Sequence, residues 1–108
     1  MYRIEYLPIA RQDMVEIARY IGRELCNPEA ARKLAGRMVQ AAESLTEFPH
    51  SKPLYIPPRP LEHEYRKLIV DKYIMFYWVD ERKRIVTIAR VIYTKRNWEE
   101  ILAEKNSR

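Results

Sequence analysis

Hydrophobic positions change period several times along the chain. Tyr2, Ile4 and Tyr6 alternate with Arg3 and Glu5, which predicts a half-buried strand over residues 1–7. From Pro8, a residue suited to a first helical turn, the spacing becomes three and four: Met14, Ile17, Ala18, Ile21 and Leu25. This predicts an amphipathic helix with Arg11, Asp13, Glu16, Arg19 and Arg23 outward. Asn27-Pro28 restarts the pattern as an N-cap followed by a first-turn proline, and Leu34, Met38, Ala41, Ala42 and Leu45 line a second helix. Residues 8–47 therefore read as an antiparallel helix hairpin.

Period two returns after residue 64. Tyr65–Val70, Tyr73–Val79 and Arg84–Tyr93 are β-branched and aromatic runs joined by short charged turns, so residues 65–94 read as a three-stranded antiparallel meander. Tyr73–Val79 reads as a strand buried on both faces. Strict alternation in the last run puts Arg90 on one face with Val86, Ile88 and Ile92. Asp71-Lys72 lacks the glycine that a tight hairpin turn prefers. Between the two halves, FPHSKPLYIPPRPLEHE (48–64) holds five of the seven prolines, which excludes both a helix and a central strand. It reads as an ordered connector crossing the sheet edge, anchored by Phe48, Leu54, Tyr55, Ile56 and Leu61. A short last helix over 97–104 opens at Asn97, and Lys105–Arg108 are expected to fray. The predicted class is α+β, order β-α-α-β-β-β-(α), in one domain over 1–108: a four-stranded, antiparallel-rich sheet with the helix hairpin on one face and the other face available.

The net charge of +5 is unevenly placed. Residues 1–65 carry nine Lys/Arg and nine Asp/Glu, whereas 66–108 carry eleven and six, so all the excess lies on the meander and tail. Such asymmetry suits an acidic protein segment or a nucleic acid. Cys26 has no partner for a disulfide, which fits a reducing, cytoplasmic setting. No apolar run reaches membrane-spanning length, so no membrane partner is expected. The histidines, His50 and His63, lack a third ligand for a metal, and two glycines do not make a phosphate-cradling loop. No cofactor is implied.

YRIEYLPIARQDMVEIARYI at the start, LTEFP after the second helix, the YRKLIVDKYIMFYWVDE hairpin and IARVIYTKRNWEEIL resemble, in this order, the RelE/ParE superfamily of toxins from type II toxin–antitoxin modules. The resemblance implies a growth-inhibiting toxin held inactive by a cognate antitoxin with an acidic or disordered segment. It also implies one of two modes of action. Members similar to ParE bind and poison DNA gyrase. Members similar to RelE cut mRNA on the ribosome by attack of a ribose 2′-hydroxyl on the adjacent phosphate, which needs several cations converging on one phosphate.

Arg66, Lys67, Arg90, Tyr93, Lys95 and Arg96 are the candidate target- or antitoxin-binding residues. Under the endoribonuclease alternative, Arg66, Lys67, Arg90, Tyr93 and Arg96 would be catalytic. Arg96 falls where the nucleases keep an arginine after the last strand. Tyr73 stands where they carry another arginine, and no tyrosine follows Tyr93, so the pattern is closer to the ParE side, with gyrase as the expected target. Each candidate also has a structural reading. Arg90 among aliphatic residues needs a carboxylate, such as Asp71 or Glu99. Tyr93 has a proton-transfer reading and a core-edge reading, and the core-edge one is favoured, since a tyrosine phenol acts as a base at neutral pH only when strongly perturbed.

Overall fold

Pro8 opens the first helix at a position where its missing N–H costs nothing, and Asn27 opens the second by accepting the Ala30 N–H on its side-chain oxygen at 3.1 Å. In a computed structural model that describes residues 1–106, with side chains through Glu104, the chain runs β1 (Arg3–Tyr6), α1 (Pro8–Arg19), α2 (Pro28–Glu43), β2 (Arg66–Val70), β3 (Tyr73–Asp80), β4 (Ile85–Tyr93) and α3 (Trp98–Asn106). A π-helical turn, Tyr20–Glu24, extends α1, and a 3₁₀ turn, Ser44–Thr46, ends α2. The last helix continues two residues beyond the expected Glu104. Of the tail expected to fray, Lys105 and Asn106 belong to α3, and Ser107 and Arg108 lie outside the described residues.

The sheet has the order β1-β4-β3-β2. β1 lies parallel to β4, from Arg3 opposite Ile85 to Tyr6 opposite Ile88, and the other pairings are antiparallel as the short turns require. Asp71 turns the β2–β3 corner at φ 53°, a left-handed conformation that aspartate tolerates better than most residues, so the hairpin closes without glycine. Val70 pairs with Tyr73 immediately beyond it.

One sheet face carries the hairpin. Leu68, Val70, Met75, Tyr77, Val86 and Ile88 pack there against Ala10, Leu34, Met38, Ala42 and Leu45. The second face is not available, contrary to the expectation from sequence. Ile74, Phe76, Ala89 and Ile92 point to it and are covered by Tyr55 and Tyr65 from the proline-rich stretch and its end, and by Leu102 of α3, which is fully buried. A strand such as Ile74–Tyr77, apolar at every position, must be covered on both sides, and the stretch and α3 together supply the second cover. Trp98 completes an aromatic group there with Tyr55 and Phe76, at ring separations of 5.2 and 5.4 Å.

The proline-rich stretch docks along the outer edge of β2. Leu54 bridges Arg66, and the backbone bonds Tyr55 N–H to Tyr65 O and Lys67 N–H to Pro53 O fix it there. Of its five proposed anchors only Tyr55 and Leu61 pack inward; Phe48, Leu54 and Ile56 are exposed. An extended segment on an edge strand alternates its side chains, so Leu54 and Ile56 take the opposite side from Tyr55.

Strict alternation in β4 also fails. Phe76 pairs with Arg90 but Tyr77 pairs with Ile88, leaving Ala89 as an inserted residue. Val86 and Ile88 accordingly join the helix-side core, and Ile92 joins the other, so Arg90 does not share one face with all three.

Candidate functional site

A groove of about 940 Å³ opens between the free end of the helix hairpin and the end of the sheet where β2 turns into β3. Its helical wall is Ile17, Tyr20, Ile21, Leu25 and Leu34, and its sheet wall is Tyr73, Val91, Tyr93 and Arg96. Tyr20 and Ile21 of the π-helical turn follow Ile17 by three and four positions and so share its groove-facing side. Leu25, expected to pack in the hairpin, is 56% exposed and belongs to this wall instead.

The sheet wall follows from register. Tyr73 begins β3 and Tyr93 ends β4, and the two are cross-strand partners with rings 5.6 Å apart. The turn beyond is tied back by Thr94 N–H to Lys72 O at 2.9 Å and Arg96 N–H to Tyr93 O at 3.0 Å. Burial pushes the Tyr73 phenol above its ordinary value, with Tyr93, Tyr20 and Asp71 adding to the effect. At neutral pH it is a neutral hydrogen-bonding group and a poor general base.

Two arginines near the groove are already paired. Arg37 on α2 reaches the Asp71 carboxylate across the groove, joining α2 to the β2–β3 turn. Arg90 is held by Asp13 of α1, with Nε to Oδ2 at 2.8 Å and Nη2 to Oδ1 at 2.9 Å, and the two side chains are 13% and 10% exposed. The expected carboxylate partner is therefore present but is neither Asp71 nor Glu99, and Asp13, read as outward from its helix, is nearly buried. Its place was legible in principle: Asp13 stands three residues after Ala10 and four before Ile17, on the border of the apolar stripe.

The six sequence candidates do not converge. Arg66 sits on the helix-side phase of β2 opposite Tyr77, about 13 Å along the strands from the Tyr73–Tyr93 pair at roughly 3.3 Å per residue. Its Nη1 donates to the carbonyls of Lys52 at 2.8 Å and His50 at 3.2 Å, which makes it a staple for the proline-rich stretch. Lys67 points to the other face, its ammonium 5.6 Å from the centre of the Trp98 ring. Tyr93 and Arg96 line the groove, and Lys95 is exposed on the adjoining turn. Sequence reasoning missed Tyr20, Leu25, Arg37 and Lys72, which meet only through the tertiary fold.

Chemically this is an amphipathic cleft. Aliphatic and tyrosine walls suit an apolar segment, and Arg96 and Lys72 at the sheet end suit carboxylates beside it. Among the described residues no group of three or more His, Cys, Asp and Glu side chains can hold a metal ion, and no helix is long and apolar enough to cross a membrane.

The model of one protein family, ParE toxin of type II toxin–antitoxin system, parDE, matches residues 4–98. No curated protein sequence matches. Among solved structures, the chain is similar to one from the chromosomal ParDE toxin–antitoxin system of P. aeruginosa, with a TM-score of 0.69 at 18% identity over 88% of this chain and 98% of that one. It is also similar to a chain of the RelBE2 toxin–antitoxin complex of Mycobacterium tuberculosis, with a TM-score of 0.62 at 18% identity over 85% and 96%. A third, from the archaeal RelE–RelB complex of Pyrococcus horikoshii OT3, gives 0.59 at 13% identity over 88% and 97%. At these identities the structural likeness speaks for the fold.

Proposed function

Because the chain belongs to the ParE toxin family of type II toxin–antitoxin systems, we propose that it arrests growth in the cytoplasm by binding and inhibiting DNA gyrase, and that a cognate antitoxin neutralises it by laying an apolar, acidic segment in the groove. The observation that carries this reading is the dispersal of the cations. A ribonuclease that stabilises a phosphorane needs several guanidinium or ammonium groups aimed at one point. Here Arg66 holds loop carbonyls, Lys67 lies on the opposite sheet face and Arg90 is neutralised by Asp13, so Arg96 and Lys72 are left beside two tyrosines. Such a surface is suited to binding.

The test is a DNA supercoiling assay with purified gyrase run beside a translation assay with ribosomes and mRNA. Inhibition of supercoiling with mRNA left intact is the expected result. Cleavage of ribosome-bound mRNA without any effect on supercoiling would refute the gyrase reading and return Tyr93 and Arg96 to catalysis.

A further inference from the structure

β1 accompanies β4 only from Ile85 to Ile88, with Leu7 N–H adding one bond to Ile88 O, and β4 runs on to Tyr93. The edge of β4 beyond Ile88 has lost its neighbouring strand, and a backbone N–H there must meet water or another acceptor. At Val91 the acceptor is Asp13: the Val91 N–H donates to Oδ2 at 2.9 Å. One carboxylate thus receives three donors, two from Arg90 and one from the backbone, across a sequence separation of 77 or 78 residues. Asp13 and Val91 also line the groove, on its helical and sheet sides.

We propose that Asp13 is a positioning residue for the groove: it pins α1 to the unpaired edge of β4, sets the separation of the two walls, and keeps the Arg90 charge from an incoming partner. Arg96 and Lys72 are then the cations that an acidic segment meets. This assignment rests on the groove being the partner-binding site. The geometric part stands apart from that reading.

The separation of the walls is measurable. Cys26 is exposed at the tip of the hairpin, between the groove residues Leu25 and Asn27, and Lys72 lies on the opposite wall. Spin labels on Cys26 and on Lys72→Cys give the distance across the groove by double electron–electron resonance. Three variants are compared: Asp13→Ala, Asp13→Ala/Arg90→Met and Asp13→Asn/Arg90→Gln. Removing both members of a nearly buried ion pair costs far less stability than removing one, so the Ala/Met chain remains folded even if Asp13→Ala does not. It is expected to show a distance longer by about 2 Å, the scale of a helix shift, or a broadened distribution, with a melt that stays cooperative at a midpoint lowered by the orphaned Val91 N–H. The amide pair retains an acceptor for Val91 N–H and is expected to restore the parental distribution.

A parental distribution in the Ala/Met chain would overturn the proposal, since Asp13 would then contribute stability alone. The same variants, induced in cells, report on the partner reading separately. If the parent chain fails to arrest growth, the proposed function fails while the distance measurement still decides the role of Asp13. If the parent arrests growth but the Asn/Gln pair, with its groove restored, does not, the Arg90 guanidinium touches the target directly and the charge-shielding role is overturned.

Discussion

Arg66→Met removes a guanidinium while keeping an apolar stem of similar reach. In the folded protein Arg66 Nη1 donates to Lys52 O at 2.8 Å and to His50 O at 3.2 Å. A hydrogen bond from a charged donor contributes roughly 1.5–3 kcal/mol, but the second of these is at the long limit for a good bond. Arg66 is also partly exposed, so water competes for its guanidinium and screens the charge. A loss of about 2 kcal/mol for the pair is expected. An unfolding entropy of roughly 2.1 cal/mol/K per residue gives about 0.23 kcal/mol/K for this length, so the melting midpoint should fall by about 9 °C. Calorimetry checks the shift, and limited proteolysis should locate the loosened backbone within residues 48–64. Growth arrest, measured well below the new midpoint, should persist. A catalytic arginine would instead lose about a hundredfold to a thousandfold in rate. Lost arrest with the stretch still protected from protease would refute the structural role of Arg66.

Two further expectations concern stability. Burial raises the phenols of Tyr73 and Tyr77, as it does those of Tyr6 and Tyr55, above their ordinary value of 10.0. Unfolded tyrosines release their protons near pH 10 while the folded ones retain them, so this stability is full below about pH 10 and is lost as pH rises through the folded values; thermal melts across that range should show a falling midpoint, and a flat profile would contradict it. Asn27→Ala removes the side-chain acceptor for Ala30 N–H and should cost about 1 kcal/mol in urea unfolding with an unchanged m-value, whereas Asn27→Gly should cost only a few tenths.

The sequence by itself determined the elements and their order. Helical spacing from Met14 to Leu45, the Asn27-Pro28 restart and the β-branched runs after Tyr65 are local signals, and local backbone preference is enough to place helices and strands from them. Proline density likewise determined that residues 48–64 would be neither helix nor central strand. The tertiary structure decided which faces are covered and which charges remain free. Ala89 enters β4 as an extra residue because the pairing with β3 shifts there, and no pattern in the strand alone announces it. The carboxylate for Arg90 comes from 77 residues away, because the early end of β1 leaves an open edge that α1 passes. Arg66 and Lys67, adjacent in sequence, diverge because neighbouring side chains in a strand point to opposite faces. Tyr20, Tyr73 and Tyr93 share a groove for the same kind of reason. Strand register and helix packing set distances between residues far apart in sequence, and a linear pattern carries no term for them.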